Sequence, residues 1–135
     1  MEISIPTAGE LRTGVLTSAG RFCTNSGSGL TDGNWHHVGF TFNGTQRVNY
    51  IDGQHVGTTA GITGNLTYTF ANRTMGRYGA STSYYLNGKL RDARIYDIVL
   101  NATEVELLYE TTKTYQPELK QSEYGVFTKG KIVGV

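Results

Sequence analysis

The chain has one cysteine, Cys23, two prolines and one tryptophan in 135 residues, and twelve basic against eleven acidic side chains leave a formal charge of +1. Each shortage excludes something. A lone cysteine cannot close an internal disulfide, and a zinc site would have to draw on His36, His37 and His55 with carboxylates. Cys23 is expected to be a small buried apolar residue rather than a reactive thiol. Balanced charge removes the electrostatic drive on which nucleic-acid binding depends, so no nucleic-acid partner is expected. Nowhere does the sequence approach ~18 consecutive apolar residues, and Met1 to Pro6 show no basic segment leading into an apolar core. No membrane span is expected, and the chain reads as soluble, which does not make it cytoplasmic.

What is abundant points to strands. Eighteen glycines, nine tyrosines and many threonines, with 17% charged residues, suit pleated surfaces and tight turns better than helices. The length fits one domain with one core. Glu2 to Ile5, Leu11 to Thr17 and Arg21 to Asn25 read as short strands separated by Gly9 and Ser18-Ala19-Gly20. Asn25-Ser26-Gly27-Ser28-Gly29 has too few side chains to pack and reads as a flexible connection.

From Trp35 to Phe42 the alternation puts His36, Val38, Phe40 and Phe42 on one face, which should be core. Asn43-Gly44 then signals a tight hairpin returning along Arg47 to Ile51, and Asp52-Gly53 repeats the turn chemistry before Gln54 to Thr58. Further strands are expected at Leu66 to Phe70, Arg73 to Arg77 and Leu86 to Tyr96, about nine in all by Tyr96. Asn101-Ala102-Thr103-Glu104 has the form of a capping box, so a short helix is expected near residues 101–110, with Val105, Leu108 and Tyr109 as its apolar stripe. Tyr124 to Thr128 and Lys131 to Val135 read as a hairpin around Gly130.

The order Thr31-Asp32-Gly33-Asn34-Trp35-His36-His37-Val38, Asn43-Gly44-Thr45, Tyr50-Ile51-Asp52-Gly53, Met75-Gly76, Leu86-Asn87-Gly88-Lys89-Leu90-Arg91-Asp92-Ala93-Arg94-Ile95-Tyr96-Asp97 and Leu100 to Val105 resembles laminin-G-like domains of the concanavalin A-like lectin/glucanase superfamily. It covers about residues 30–110. The resemblance implies an all-β antiparallel jelly-roll sandwich with one short helix, residues 1–110 forming a sandwich incomplete at its N-terminus and 111–135 a C-terminal extension with a hairpin. Family members carry additional opening strands, one of which pairs beside the closing strand. Their absence would leave an apolar face and unpaired edges. The C-terminal hairpin or a neighbouring chain is expected to cover them, which implies a homo-oligomer or a partner chain. Some relatives hold calcium through carboxylates near the closing strand. Arg91 stands where many of them carry an acid beside the position of Asp92, so no cofactor is expected and calcium is unsupported.

No enzymatic activity is expected. Glycoside hydrolysis needs two carboxyl groups facing one cleft, whereas Asp32 and Asp52 belong to turns, Asp92 stands alone on its strand face, and Glu104, Glu106 and Glu110 belong to the helix. His36 and His37 point to opposite faces if extended, so they read as packing and hydrogen-bonding groups and not as joint metal ligands. Asp92 and Arg94 share a face and suggest an ion pair. In the loop from Arg77 to Tyr85, tyrosine faces that stack on sugars lie among serine and threonine hydroxyls, making Arg77, Tyr78 and Tyr84 the candidate ligand-binding residues. Asn43, Asn65, Asn72 and Asn101 begin Asn-x-Thr sequons, of use only in a eukaryotic secretory setting. The expected role is a non-catalytic binding module recognising a glycan or surface ligand, extracellular or on a virion. The alternative is a structural assembly subunit, such as a virion decoration or tail component, completed by a neighbour.

Overall fold

The computed structural model describes residues 1–6, 8–67, 74–77 and 85–113. In chain order these form β1 (Glu2–Ser4), β2 (Leu11–Thr17), β3 (Gly20–Ser26), β4 (Val38–Phe42), β5 (Arg47–Ile51), β6 (Gln54–Thr59) and α1 (Ala102–Lys113). The strands make two antiparallel three-stranded meanders, β1-β2-β3 and β4-β5-β6. Local chemistry sets the turns. Asn43 Oδ1 accepts from the Thr45 and Gln46 backbone N–H groups at 3.1 and 2.8 Å, closing the β4–β5 hairpin with Gly44 at φ +102°. Asp52 and Gly53 both adopt positive φ, 50° and 77°, at the β5–β6 turn.

The central strand of each sheet is the buried one. On β2 the alternate residues Leu11, Thr13, Val15 and Thr17 are all at most 3% exposed, and β5 places the fully buried Arg47 and Asn49 against the first sheet. The seam is therefore polar as well as apolar. Thr13 Oγ1 donates to Asn49 Oδ1 at 2.7 Å, and Asn49 Nδ2 donates to Ser26 Oγ at 2.8 Å. Arg47 donates to the Phe22 carbonyl at 2.7 Å and to Thr24 Oγ1 at 2.5 Å. Buried polar groups are tolerable only when paired in this way, and the pairing fixes how the sheets are offset.

Helix α1 starts on the expected capping box: Asn101 Oδ1 accepts from the Glu104 N–H at 3.0 Å, and Glu104 Oε2 accepts from the Asn101 N–H at 2.8 Å. Val105 is buried, Leu108 and Tyr109 are half-buried, and Glu106 and Glu110 are exposed. The helix seats on the β5–β6 turn, where a Cβ placed on Gly53 would lie 3.2 Å from the Glu106 Cα.

Several expectations change. The strand expected from Trp35 begins only at Val38, and Val38, Phe40 and Phe42 are half-buried like the residues between them, because β4 is a sheet edge and the full burial falls on β2 and β5. Leu66 forms an antiparallel bridge with Thr17, and the rest of the strand expected there, from residue 68, lies outside the described residues. Leu86 to Tyr96 forms no continuous strand, only an isolated bridge at Arg94; Asp92 sits at φ +56°, which interrupts extended backbone. Six strands occur among the described residues by Tyr96, and of the about nine expected, those at Leu66 to Phe70 and Arg73 to Arg77 lie partly outside the described residues. Cys23 is half-buried, its Sγ accepting from Arg21 Nε at 3.1 Å, so it is not the enclosed apolar residue expected. The expected C-terminal hairpin lies outside the described residues.

Candidate functional site

Where β4 begins, the β5–β6 turn, the segment around Asp92 and helix α1 come together. The register of the β4–β5 hairpin pairs Val38 with Ile51, which brings the residues just before β4 to Asp52. Asp52 Oδ1 accepts from the His37 N–H at 2.8 Å, and the Asp52 N–H donates to the His37 carbonyl at 2.7 Å. Asp52 Oδ2 lies 2.8 Å from His36 Nδ1, while His36 Nε2 lies 3.0 Å from Asp32 Oδ1. Asp32 is itself held, accepting from the Asn34 backbone N–H and Nδ2 at 2.8 Å each.

One imidazole thus bridges two carboxylates. Both ring nitrogens can donate only in the protonated ring. Accordingly the Asp52 and Asp32 carboxylates, in that order, raise the His36 pKa above its ordinary 6.5. The Asn34 amide and then His36 lower the Asp32 carboxyl to about 2. His37 behaves oppositely: burial drives its pKa down, against the pull of Asp52, and its ring lies 6.0 Å from that of Tyr109 on α1.

These directions fix a pH response. The His36 contribution to stability is complete below 6.5, the ordinary value, and is lost as pH rises through the raised value; that of Asp32 is present above 3.8 and is lost as pH falls through about 2. In an NMR titration His36 titrates above 6.5, and Asp52→Asn or Asp32→Asn each lowers its midpoint. A midpoint unmoved by both substitutions would refute the bridge.

Beside this cluster Arg94 forks onto Asp92, Nε to Oδ1 at 3.0 Å and Nη2 to Oδ2 at 2.8 Å, the expected ion pair. The Arg91 guanidinium lies over the Trp35 ring, 5.2 Å from its centroid. Arg91, Asp92, Arg94, Thr111 and Thr112 line an open cleft of about 420 Å³. Among the described residues no group of three or more His, Cys, Asp or Glu side chains is placed to hold a metal ion. No described helix is long and apolar enough to cross a membrane.

Of the ligand-binding residues expected from sequence, Arg77 is exposed and pairs through its backbone with Tyr85. Tyr78 and Tyr84 lie outside the described residues. The convergence of Asp32 and Asp52 on His36 is a feature that reading the two aspartates as separate turn residues misses. A signal for half of it was available, since a tight Asn43-Gly44 turn by itself sets residue 37 opposite residue 52.

With this geometry, a family model described as the concanavalin A-like lectin/glucanases superfamily, of the laminin G group, matches residues 1–106. The chain belongs to that family. Its two antiparallel sheets and single described helix are those of a concanavalin A-like sandwich. Among solved structures it is similar to residues 221–444 of an S-layer domain-containing protein from Clostridium thermocellum, with 31% identity over 75% of this chain and a TM-score of 0.52. This laminin-G-like chain spans 52% of that structure, about half its length. No curated protein matches it.

Proposed function

We infer that the chain is a non-catalytic module of a cell-surface assembly, and that it works by self-association through an open apolar face. The observation that carries this reading is the exposure of Leu90 (58%), Ile95 (66%), Ile98 (64%), Val99 (54%) and Leu107 (62%). Four of the five fall within residues 90–99, and exposed aliphatic side chains grouped in this way mark contact surfaces. Leu90 and Ile95 lie in, and Ile98 and Val99 just after, the segment that by family resemblance should be the closing strand, and Leu107 lies on α1. Packing of a second copy of this chain on this segment would take them out of water.

A cell-surface setting is supported by the likeness to an S-layer domain-containing protein. The virion setting that the sequence left open gains no such support. Absence of catalysis is supported by the employment of the carboxylates: Asp32 and Asp52 share His36 between them, Asp92 holds Arg94, and Glu104 caps α1. A glycosidase instead needs a sugar between its two carboxyl groups.

Glycan recognition at the Arg77 to Tyr85 loop is a second reading, favoured by the 63% exposure of Tyr85 where that loop closes. Light scattering and a glycan array on one purified sample separate the two. A multimer without glycan binding supports assembly. A monomer that binds glycans and loses them on Arg77→Ala replaces it with the second reading.

A further inference from the structure

Two Asn-Gly pairs occur in the chain, Asn43-Gly44 and Asn87-Gly88, and their surroundings are opposite. Asn-Gly is the dipeptide most open to attack on the side-chain amide, because glycine leaves the following backbone nitrogen unhindered. Attack requires the Asn Cγ to swing onto that nitrogen. At Asn43 the swing is blocked: Oδ1 accepts from the Thr45 N–H at 3.1 Å, the Thr45 hydroxyl at 3.3 Å and the Gln46 N–H at 2.8 Å. At Asn87 no hydrogen bond to the side chain exists among the described residues, and Asn87, Gly88 and Lys89 are all exposed. Among the described residues a Cβ on Gly88 would meet only its neighbour-but-one Leu86, at 3.7 and 3.8 Å.

We propose that Asn87 is a site of spontaneous covalent modification by deamidation, while the identical pair at Asn43 is protected by the hairpin. The Gly88 nitrogen attacks the Asn87 Cγ and loses its proton, and ammonia leaves to give a cyclic imide. Water then opens the ring to aspartate or isoaspartate. No oxidant or enzyme is needed. The product carries a new negative charge, and in the isoaspartate form one extra backbone methylene, between Leu86 and Leu90. Modification there would weaken packing of an apolar partner on this segment, a consequence that rests on the assembly reading; the modification itself does not.

The test is timed incubation of the folded chain in mildly alkaline buffer, followed by peptide mapping. The peptide holding Asn87 should gain about 1 Da, at least about tenfold faster than the one holding Asn43, the factor that corresponds to one hydrogen bond kept intact. In strong urea, where the hairpin clamp is gone, the two rates should converge. Equal rates in the folded chain, or a ratio that urea leaves unchanged, would overturn the proposal. Neither result bears on oligomeric mass, so this inference and the assembly reading fail separately.

Discussion

Replacing Arg47 with alanine should lower the stability of the fold by about 3 kcal/mol, among the largest losses available to one substitution here. Arg47 has no exposed surface, and its guanidinium reaches from β5 to the Phe22 carbonyl, Thr24 Oγ1 and, at 3.3 Å, Thr59 Oγ1. Truncation removes the side-chain volume between the sheets and takes the donor from the part-buried Phe22 carbonyl, while the Thr24 and Thr59 hydroxyls keep their own 2.9 Å hydrogen bond. Burial already presses the Arg47 pKa downward, and no carboxylate pairs with it among its hydrogen-bond partners. The charge is thus a cost that the hydrogen bonds offset. Arg47→Met, which keeps the volume and discards the charge, should therefore lose clearly less than Arg47→Ala. Urea unfolding midpoints of the two variants decide it, and equal losses would show that packing is not the larger part.

Gly53→Val should cost about 3 kcal/mol and act through the helix. At φ +77° a branched residue is strained whatever the space, and here there is little space. Its Cβ would lie 3.1 Å from Tyr109 Cδ1 and 3.2 Å from both the Tyr109 Cβ and the Glu106 Cα. A side chain can rotate away, but the Glu106 backbone yields only if α1 lifts as a body. Gly53→Ala, with strain and a smaller clash, should cost about half as much. Unfolding midpoints measure the loss, and the environment of His37, whose ring faces Tyr109, reports whether the helix has moved.

Both effects concern features that differ in how far a reader of the sequence can see them. The hairpins at Asn43-Gly44 and Asp52-Gly53, the strand from Leu11 to Thr17 and the capping box from Asn101 to Glu104 are written in neighbouring residues, and the structure holds each of them. The family resemblance was legible for the same reason, since its residues recur in a fixed order along the chain. Arg47 was not legible as a core residue, because an arginine in a strand ordinarily reads as exposed and only the packing of a second sheet encloses it. The His36 bridge depends on Asp32 folding back over the β5–β6 turn, which no local pattern announces. At Leu86 to Tyr96 the composition suits a strand, yet Asp92 takes positive φ and Arg94 folds back onto it, a local pairing that competes with extension.

The exposed aliphatic residues Leu90, Ile95, Ile98, Val99 and Leu107 tie these observations to function, since packing a second copy against them would remove apolar surface from water. The measurement that tests this most directly is the mass of the purified chain by light scattering, alone and with Leu90→Ser, Ile95→Ser and Ile98→Ser combined. Assembly through this face predicts a species larger than the 14.8 kDa monomer that falls to 14.8 kDa in the triple variant. A well-folded monomer of the unaltered chain at high concentration, or a multimer indifferent to the three substitutions, would contradict it.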